Sequence, residues 1–358
     1  MRGQSRVVVD KYGVRVWYVD LKAVLNFLLA KVVVTDFLEE QLDHERGILG
    51  DLAEVSAIGG RHEDELTGRI EDADAVMVYH FLSRTRRTIE RLQHCKLIVR
   101  CGAGVDHAFA ATRGIAVANV PDYGTEEVAD SAFGLALALA RGPHQLNNPL
   151  RAGRGERSYT QAAPVWQLRG RVFGIVGIGR IGSASALRAK ALGMDVAFYY
   201  PFAPEGRDKS LGVRRVESLD ELLAQSHVLS FHCPLTSETR HMLNRENISR
   251  MRKGLFVVNT ARGAVVDVLA VLDELGNVHL GGAAIDVLET EPPSADHPLL
   301  KAWRAPKHPA HDRLILNPHA AFYCEEGLLD MRIKGSENVR RVLLGQPPRN
   351  VVNGAGWY

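Results

Sequence analysis

The sequence predicts an α/β fold of two parallel-sheet domains, Rossmann-like or flavodoxin-like, with an interdomain cleft. Three observations carry this. Short, continuously apolar runs alternate with helical stretches, the signature of strands covered on both faces. The alternation occurs as two separate series. A chain of 358 residues is too long for one small core and suits two domains of ordinary size.

The first series opens with KVVVTDF at 31–37, followed by a charged helical segment. AEVSAI, AVMVYHF, KLIVRCGAG and GIAVANV continue it, with a helix around HEDELTGRI. TEEVADSAFGLALALARGPHQLNN then reads as one long, largely apolar helix, with Thr125 as its N-cap before two glutamates. A helix so apolar is expected in an interface. The second series starts at Arg171 with RVFGIVGIG, MDVAFYY, VLSFHCPL, GLFVVNTA, GGAAIDVL and LILNPH, separated by helices such as SASALRAKALG and SLDELLAQS. A last helix, EEGLLDMRIKGSENVRRVLLG, is expected to return to the first domain. Residues 1–30 read as an appendage outside the fold, because the basic start is followed by charged residues that spoil a signal-peptide core.

Composition narrows the function classes. Net charge is only +2 with both signs interspersed, so no nucleic-acid footprint is expected. No apolar run approaches the ~20 residues of a membrane span. The four cysteines form neither CxxC pairs nor a zinc spacing, so no metal is expected, and their sparseness fits a cytoplasmic location.

GIVGIGRIG supplies the first chemical signal. Gly177, Gly179 and Gly182 follow a strand and open a helix, where they permit a tight turn, close approach of a pyrophosphate, and close helix–strand packing. Arg180 and Ile181 begin that helix. The acid expected about 20 residues further on, which would take the ribose hydroxyls of NAD, is missing. Tyr200 stands at that strand end, and Asp195 lies at the wrong end. NAD is favoured because no arginine directly follows Tyr200, while Arg180, Arg207 and Lys209 leave NADP open.

Three groups follow in order: Arg262 in VVNTARG, Glu291 in DVLETEPP and His319 in ILNPHAA. Hydride addition to a 2-keto acid requires a proton on the carbonyl oxygen. Histidine changes charge near neutrality and can donate it. A neighbouring carboxylate would orient the ring, and a fixed cation would bind the substrate carboxylate and polarise the carbonyl.

The runs VVNTARGAVVD, GGAAIDVLETEPP and LILNPHAAFY resemble the D-isomer-specific 2-hydroxyacid dehydrogenases, and within them the branch of the C-terminal-binding-protein corepressors and their bacterial relatives. The resemblance extends from about Lys31 to Asn353. It implies that Glu291, directly before the proline, is the acid rather than Glu289. It implies walls of the cofactor pocket at Cys233, Pro234, Thr239, Thr260, Ala261, Asp286 and Ala321, with Asp286 toward the nicotinamide amide. Substrate contacts are implied at His80, Arg100, Gly102, Ala103, Gly104 and Phe322. Phe322 replaces the corepressors' tryptophan. The implied domains are 31–123, closing on the substrate and completed by 329–358, and 124–328, binding NAD(P). A homodimer through the helix near Thr125 is implied as well. The activity implied is interconversion of a small 2-keto acid and a D-2-hydroxy acid, of phosphoglycerate or glycerate/hydroxypyruvate type. The alternative is a corepressor-like, dinucleotide-sensing binding protein.

Overall fold

Two short strands, β1 (Arg6–Val9) and β2 (Arg15–Tyr18), pair antiparallel with each other ahead of the first predicted strand. The computed structural model describes residues 6–9, 15–18, 29–39, 41–79, 82, 85–101, 107–153, 157–163 and 165–355. The chain divides into two compact units, Met1–Tyr123 with Glu325–Tyr358, and Gly124–Cys324.

In the first unit, β3 (Ala30–Val34), β4 (Ala53–Ala57), β5 (Ala75–Val78), β6 (Leu97–Arg100) and β7 (Ala116–Asn119) form a parallel sheet in the order β4-β3-β5-β6-β7. This is the flavodoxin-like order. The apolar runs make strands here because helices cover both faces; every residue of β5 is buried. The C-terminal helix, Glu325–Leu343, belongs to this unit and sends Met331, Val339 and Val342 into the core with Val32, Val34 and Val99. Its Arg332 grips the fully buried Glu45 through two 2.7 Å hydrogen bonds, satisfying a carboxylate that would otherwise be costly to bury.

In the second unit, β8 (Val172–Val176), β9 (Asp195–Tyr199), β10 (Arg214–Arg215), β11 (Val228–Phe231), β12 (Phe256–Asn259), β13 (Gly282–Ile285) and β14 (Leu314–Leu316) form a parallel sheet. The order is β10-β9-β8-β11-β12-β13-β14. It reverses between β8 and β11, so the carboxyl ends of those two strands flank the crevice where ligands of such folds bind. Strand β10 has no counterpart in the apolar pattern of the sequence: it is two arginines long and pairs only with Ala197 and Phe198 of the neighbouring strand.

The predicted long helix needs two corrections. It runs Thr125–Arg141, with Gly124 and not Thr125 at the N-cap. A Cβ added at Gly124 would make only ordinary van der Waals contact, 3.4 Å from the Phe322 Cβ. Thr125 is then the first helical residue, and its buried hydroxyl has no hydrogen-bond partner among the described residues. The helix stops at Gly142, whose φ of 64° is left-handed, and Pro143 starts a separate helix, Pro143–Arg151. The apolar residues of the first helix are used inside its own unit. Ala132, Phe133, Ala136, Leu139 and Ala140 pack with Phe173, Ile175 and Val258. Outside this seam, Arg188 of the Arg180–Ala191 helix bonds Asp130 at 2.6 Å and Glu126 at 2.7 Å.

Candidate active site

The carboxyl ends of the second sheet collect most of the predicted residues. Gly177 closes β8 with a φ of 94°; a Cβ there would lie 2.9 Å from the His232 carbonyl and the Cys233 nitrogen. Gly182 allows equally close packing, since its Cβ would be 2.0 Å from the Gly177 oxygen. Gly179 differs: nothing lies within 4 Å of its added Cβ. It caps the helix that Arg180, Ile181 and Gly182 begin. Open space beside an exposed helix N-terminus fits a pyrophosphate.

Tyr200 directly follows β9 and is half-buried, with its ring edge-on to Phe202 at 5.8 Å. Cys233 is buried and its thiol is pushed up to about 11 by desolvation, so it is an unreactive thiol. Pro234 offers its carbonyl to the Thr239 hydroxyl at 2.7 Å, which closes the loop between them. His232, beside it, carries no motif in the sequence. Burial holds its imidazole down to about 4, and its Nε2 meets the Ser230 hydroxyl at 2.9 Å. Thr260, after β12, is buried, and its hydroxyl has no hydrogen-bond partner among the described residues.

Arg262 sits on a turn built by Asn259, which is fully buried. The Asn259 side chain accepts from the Ala261 N–H at 3.0 Å and donates to the Arg262 carbonyl at 3.0 Å. The guanidinium of Arg262 donates to the Ala261 carbonyl at 2.6 Å. Gly263 then lies against the acidic loop: its Cβ would be 1.9 Å from the Leu288 carbonyl carbon and 2.3 Å from the Glu289 nitrogen. Only glycine permits that approach.

Glu291 folds back so that one oxygen accepts the Leu288 N–H at 2.7 Å, while the other lies 2.6 Å from His319 Nδ1. Burial pushes the Glu291 carboxyl up, but the His319 hydrogen bond, with the Leu288 amide and the Arg262 charge, more than offsets it and holds the group below the ordinary glutamate value. The Glu291 hydrogen bond raises His319 against its desolvation, with Arg262 acting in the opposite direction. Glu289, the competing acid, bonds Arg240 and His241 instead.

His319 has a φ of 55°, a left-handed conformation uncommon for a side-chain-bearing residue. Asp286 holds it there. Its carbonyl accepts the His319 N–H at 2.8 Å, and its two carboxylate oxygens accept Ala320 N–H at 2.9 Å and Ala321 N–H at 3.1 Å. Asp286, expected toward the nicotinamide amide, accepts one backbone hydrogen bond on each oxygen here, which leaves acceptor capacity on both. Ala321 is buried, and Phe322 sets its ring edge-on to His319 at 6.3 Å. With Nδ1 engaged, Nε2 is the ring nitrogen left to exchange a proton with a ligand.

Arg100 ends β6 in the other unit. His80, Gly102, Ala103 and Gly104 lie outside the described residues. Among the described residues, no group of three or more His, Cys, Asp or Glu could hold a metal ion.

Residues 133–321, with the glycine loop and the His319 turn inside that span, match the family model for the NAD binding domain of D-isomer specific 2-hydroxyacid dehydrogenase. The chain belongs to this family. The D-3-phosphoglycerate dehydrogenase of Methanocaldococcus jannaschii is 36% identical over 91% of this chain and 60% of its own length. That of Archaeoglobus fulgidus is 34% identical over 90% and 59%. The chain therefore spans about three fifths of these curated relatives. The solved D-lactate dehydrogenase of Aquifex aeolicus, complexed with NAD and lactic acid, is 28% identical, with a TM-score of 0.77 over 88% of this chain and 96% of that one. Asn259 and Gly263 do not stand out in the sequence because their roles are set by which backbone lies opposite them. Gly263, directly after the catalytic arginine candidate, is the one legible hint.

Proposed function

We propose that the protein is a D-2-hydroxyacid dehydrogenase that reduces a small 2-keto acid with NADH or NADPH, or runs the reverse oxidation. The observation carrying this is the 2.6 Å His319–Glu291 pair on the same sheet edge as the glycine loop. The curated relatives named as phosphoglycerate dehydrogenases and the solved lactate dehydrogenase favour an enzyme over a corepressor-like binding protein.

Gly177, Gly179 and Gly182 with the helix N-terminus would hold the cofactor's pyrophosphate, and the unpartnered Thr260 hydroxyl fits a polar group on its nicotinamide side. When bound, the nicotinamide supplies or accepts hydride. The chain's own residues do the rest. Arg262 binds the substrate carboxylate and stabilises charge on the carbonyl oxygen. His319, whose protonated form Glu291 favours, delivers a proton from Nε2 to that oxygen, and in oxidation takes it back. Asp286 fixes the turn that aims the ring. Tyr200, lacking a carboxylate, neither binds the ribose hydroxyls as an acid would nor repels a 2′-phosphate.

The curated relatives' names favour a phosphoglycerate-type substrate, with a glycerate/hydroxypyruvate type as the second candidate. The working form is a homodimer. Its contact surface includes the Pro143–Arg151 helix, which buries none of its residues, and the exposed Leu150, Tyr159, Val165 and Trp166 that accompany it. Four free cysteines, three of them buried, suit the cytoplasm.

The test is a panel of both reduced cofactors against glyoxylate, hydroxypyruvate, pyruvate, 2-ketoglutarate and phosphohydroxypyruvate. Oxidation of the cofactor with at least one acid is expected; none with any would refute the assignment.

A further inference from the structure

Glu289 lies two residues before Glu291 and is absent from the chemistry above, yet it sits where three segments meet. The Arg240 guanidinium and His241 Nε2, the latter at 3.2 Å, both bond its carboxylate. His241 is itself fastened inward. Its backbone is left-handed, with a φ of 47°, its N–H donates to the Ala264 carbonyl at 2.7 Å, and its carbonyl accepts from the Asn244 side chain at 3.1 Å. Ala264 belongs to the turn of Arg262, and Gly263 of that turn presses on the Leu288–Glu289 backbone from the other side. Arg240 also directly follows Thr239, which closes the loop of Pro234 in the cofactor wall. The span 288–291 is thereby held at its backbone by Gly263 and at its outward side chain by Arg240 and His241. Glu291, at its far end, has one oxygen on the Leu288 N–H and the other on His319.

We infer that Glu289 is a positioning residue: through Arg240 and His241 it ties the acidic loop to the cofactor-wall loop and so keeps Glu291 within hydrogen-bonding reach of His319. An exposed ion pair alone contributes little stability, since solvent and salt screen it and two long side chains must be ordered. Here the consequence is geometric. Release of Glu289 lets the loop pivot about the Gly263 contact, which lengthens the Glu291–His319 bond while the fold persists. Misplacement of a catalytic pair by about an ångström costs on the order of 100-fold in rate, and a smaller displacement correspondingly less. The inference rests on the proton-donor assignment for His319 but is read by a measurement that does not need turnover.

That measurement is the titration of His319 by histidine ring NMR, in the cofactor-free protein, for wild type, Glu289→Ala, Glu289→Gln and Arg240→Ala with His241→Ala. The charged groups facing His319 are Glu291, Asp286 and Arg262. All three remain in every variant; Glu289→Ala removes a negative charge and the double variant a positive one, so a fall in both reports geometry. In Glu289→Ala and in the double variant the His319 midpoint falls toward that of an ordinary histidine. Glu289→Gln, whose amide oxygen still accepts from Arg240, stays nearer the wild type. Where turnover with a keto acid is observed, kcat falls about 10-fold in Glu289→Ala with little change in KM. A His319 midpoint unchanged in both Glu289→Ala and the double variant overturns the inference, whether or not the protein turns over. Absence of turnover in wild type, with the midpoint shift present, overturns the proposed activity and leaves the positioning role standing.

Discussion

His319 Nδ1 lies 2.6 Å from Glu291 Oε2, and the two groups shift in opposite directions: the histidine upward and the glutamate downward from their ordinary values. A pair so arranged holds the proton on the ring and the charge on the carboxylate. Keto-acid reduction requires the protonated ring. Its kcat/KM should be flat on the acid side and decline as pH rises through a midpoint above that of an ordinary histidine. Hydroxy-acid oxidation should show the mirror image. Glu291→Gln should move both midpoints down, measured as pH profiles of the two directions.

The same pair makes a stability prediction. The raised His319 contributes stability that is fully present below its ordinary value of 6.5 and lost as pH rises through its folded value. The lowered Glu291 contributes stability present above its ordinary value of 4.5 and lost as pH falls through its folded value. The Tm difference between wild type and Glu291→Gln should therefore be largest between those two ordinary values and shrink toward either extreme. Thermal melts across that range check it.

Two of the loop glycines should separate. Gly182→Ala places a Cβ 2.0 Å from the Gly177 oxygen and should destabilise the domain by about 1–3 kcal/mol, seen in urea unfolding. Gly179→Ala meets nothing within 4 Å, so stability should hold while affinity for the reduced cofactor, read by its fluorescence, falls.

Gly263→Ala should disable the site from a distance. The added methyl would overlap the Leu288 carbonyl, so the acidic loop must shift. Turnover should drop by about 100-fold, and cofactor affinity should change little.

Tyr200 should set cofactor choice. Tyr200→Asp restores an acid at the ribose end and should raise the NADH over NADPH ratio in kcat/KM. An NADH preference already strong and untouched by the substitution would refute this.

The sheets are legible in the sequence for a physical reason. Strands such as β5, β11, β12 and β13 are buried along their whole length, so they read as largely apolar runs, interrupted only by Ser230 in β11 and Asn259 at the end of β12. Strand β10 escapes because two arginines at a sheet edge carry no such pattern. The helix break at Gly142 is marked in the sequence by a Gly-Pro step, set between two stretches that each have helical periodicity. The apolar face of the Thr125–Arg141 helix packs on its own sheet, and hydrophobicity alone does not say what else covers a helix. At the site, motif order points to Arg262, Glu291 and His319. Asn259, Asp286 as holder of the His319 turn, and the Glu289 catch depend on which backbone groups fold opposite each other, which spacing along the chain does not encode.

The most direct test of proton donation by His319 is a stopped-flow comparison of wild type and His319→Gln with the best keto acid of the panel, following loss of reduced-nicotinamide absorbance, with cofactor affinity measured in parallel. His319→Gln is expected to lower the rate by at least about 100-fold while cofactor affinity stays within a few-fold of wild type. Reduction by His319→Gln at the wild-type rate would contradict the proton-donor role.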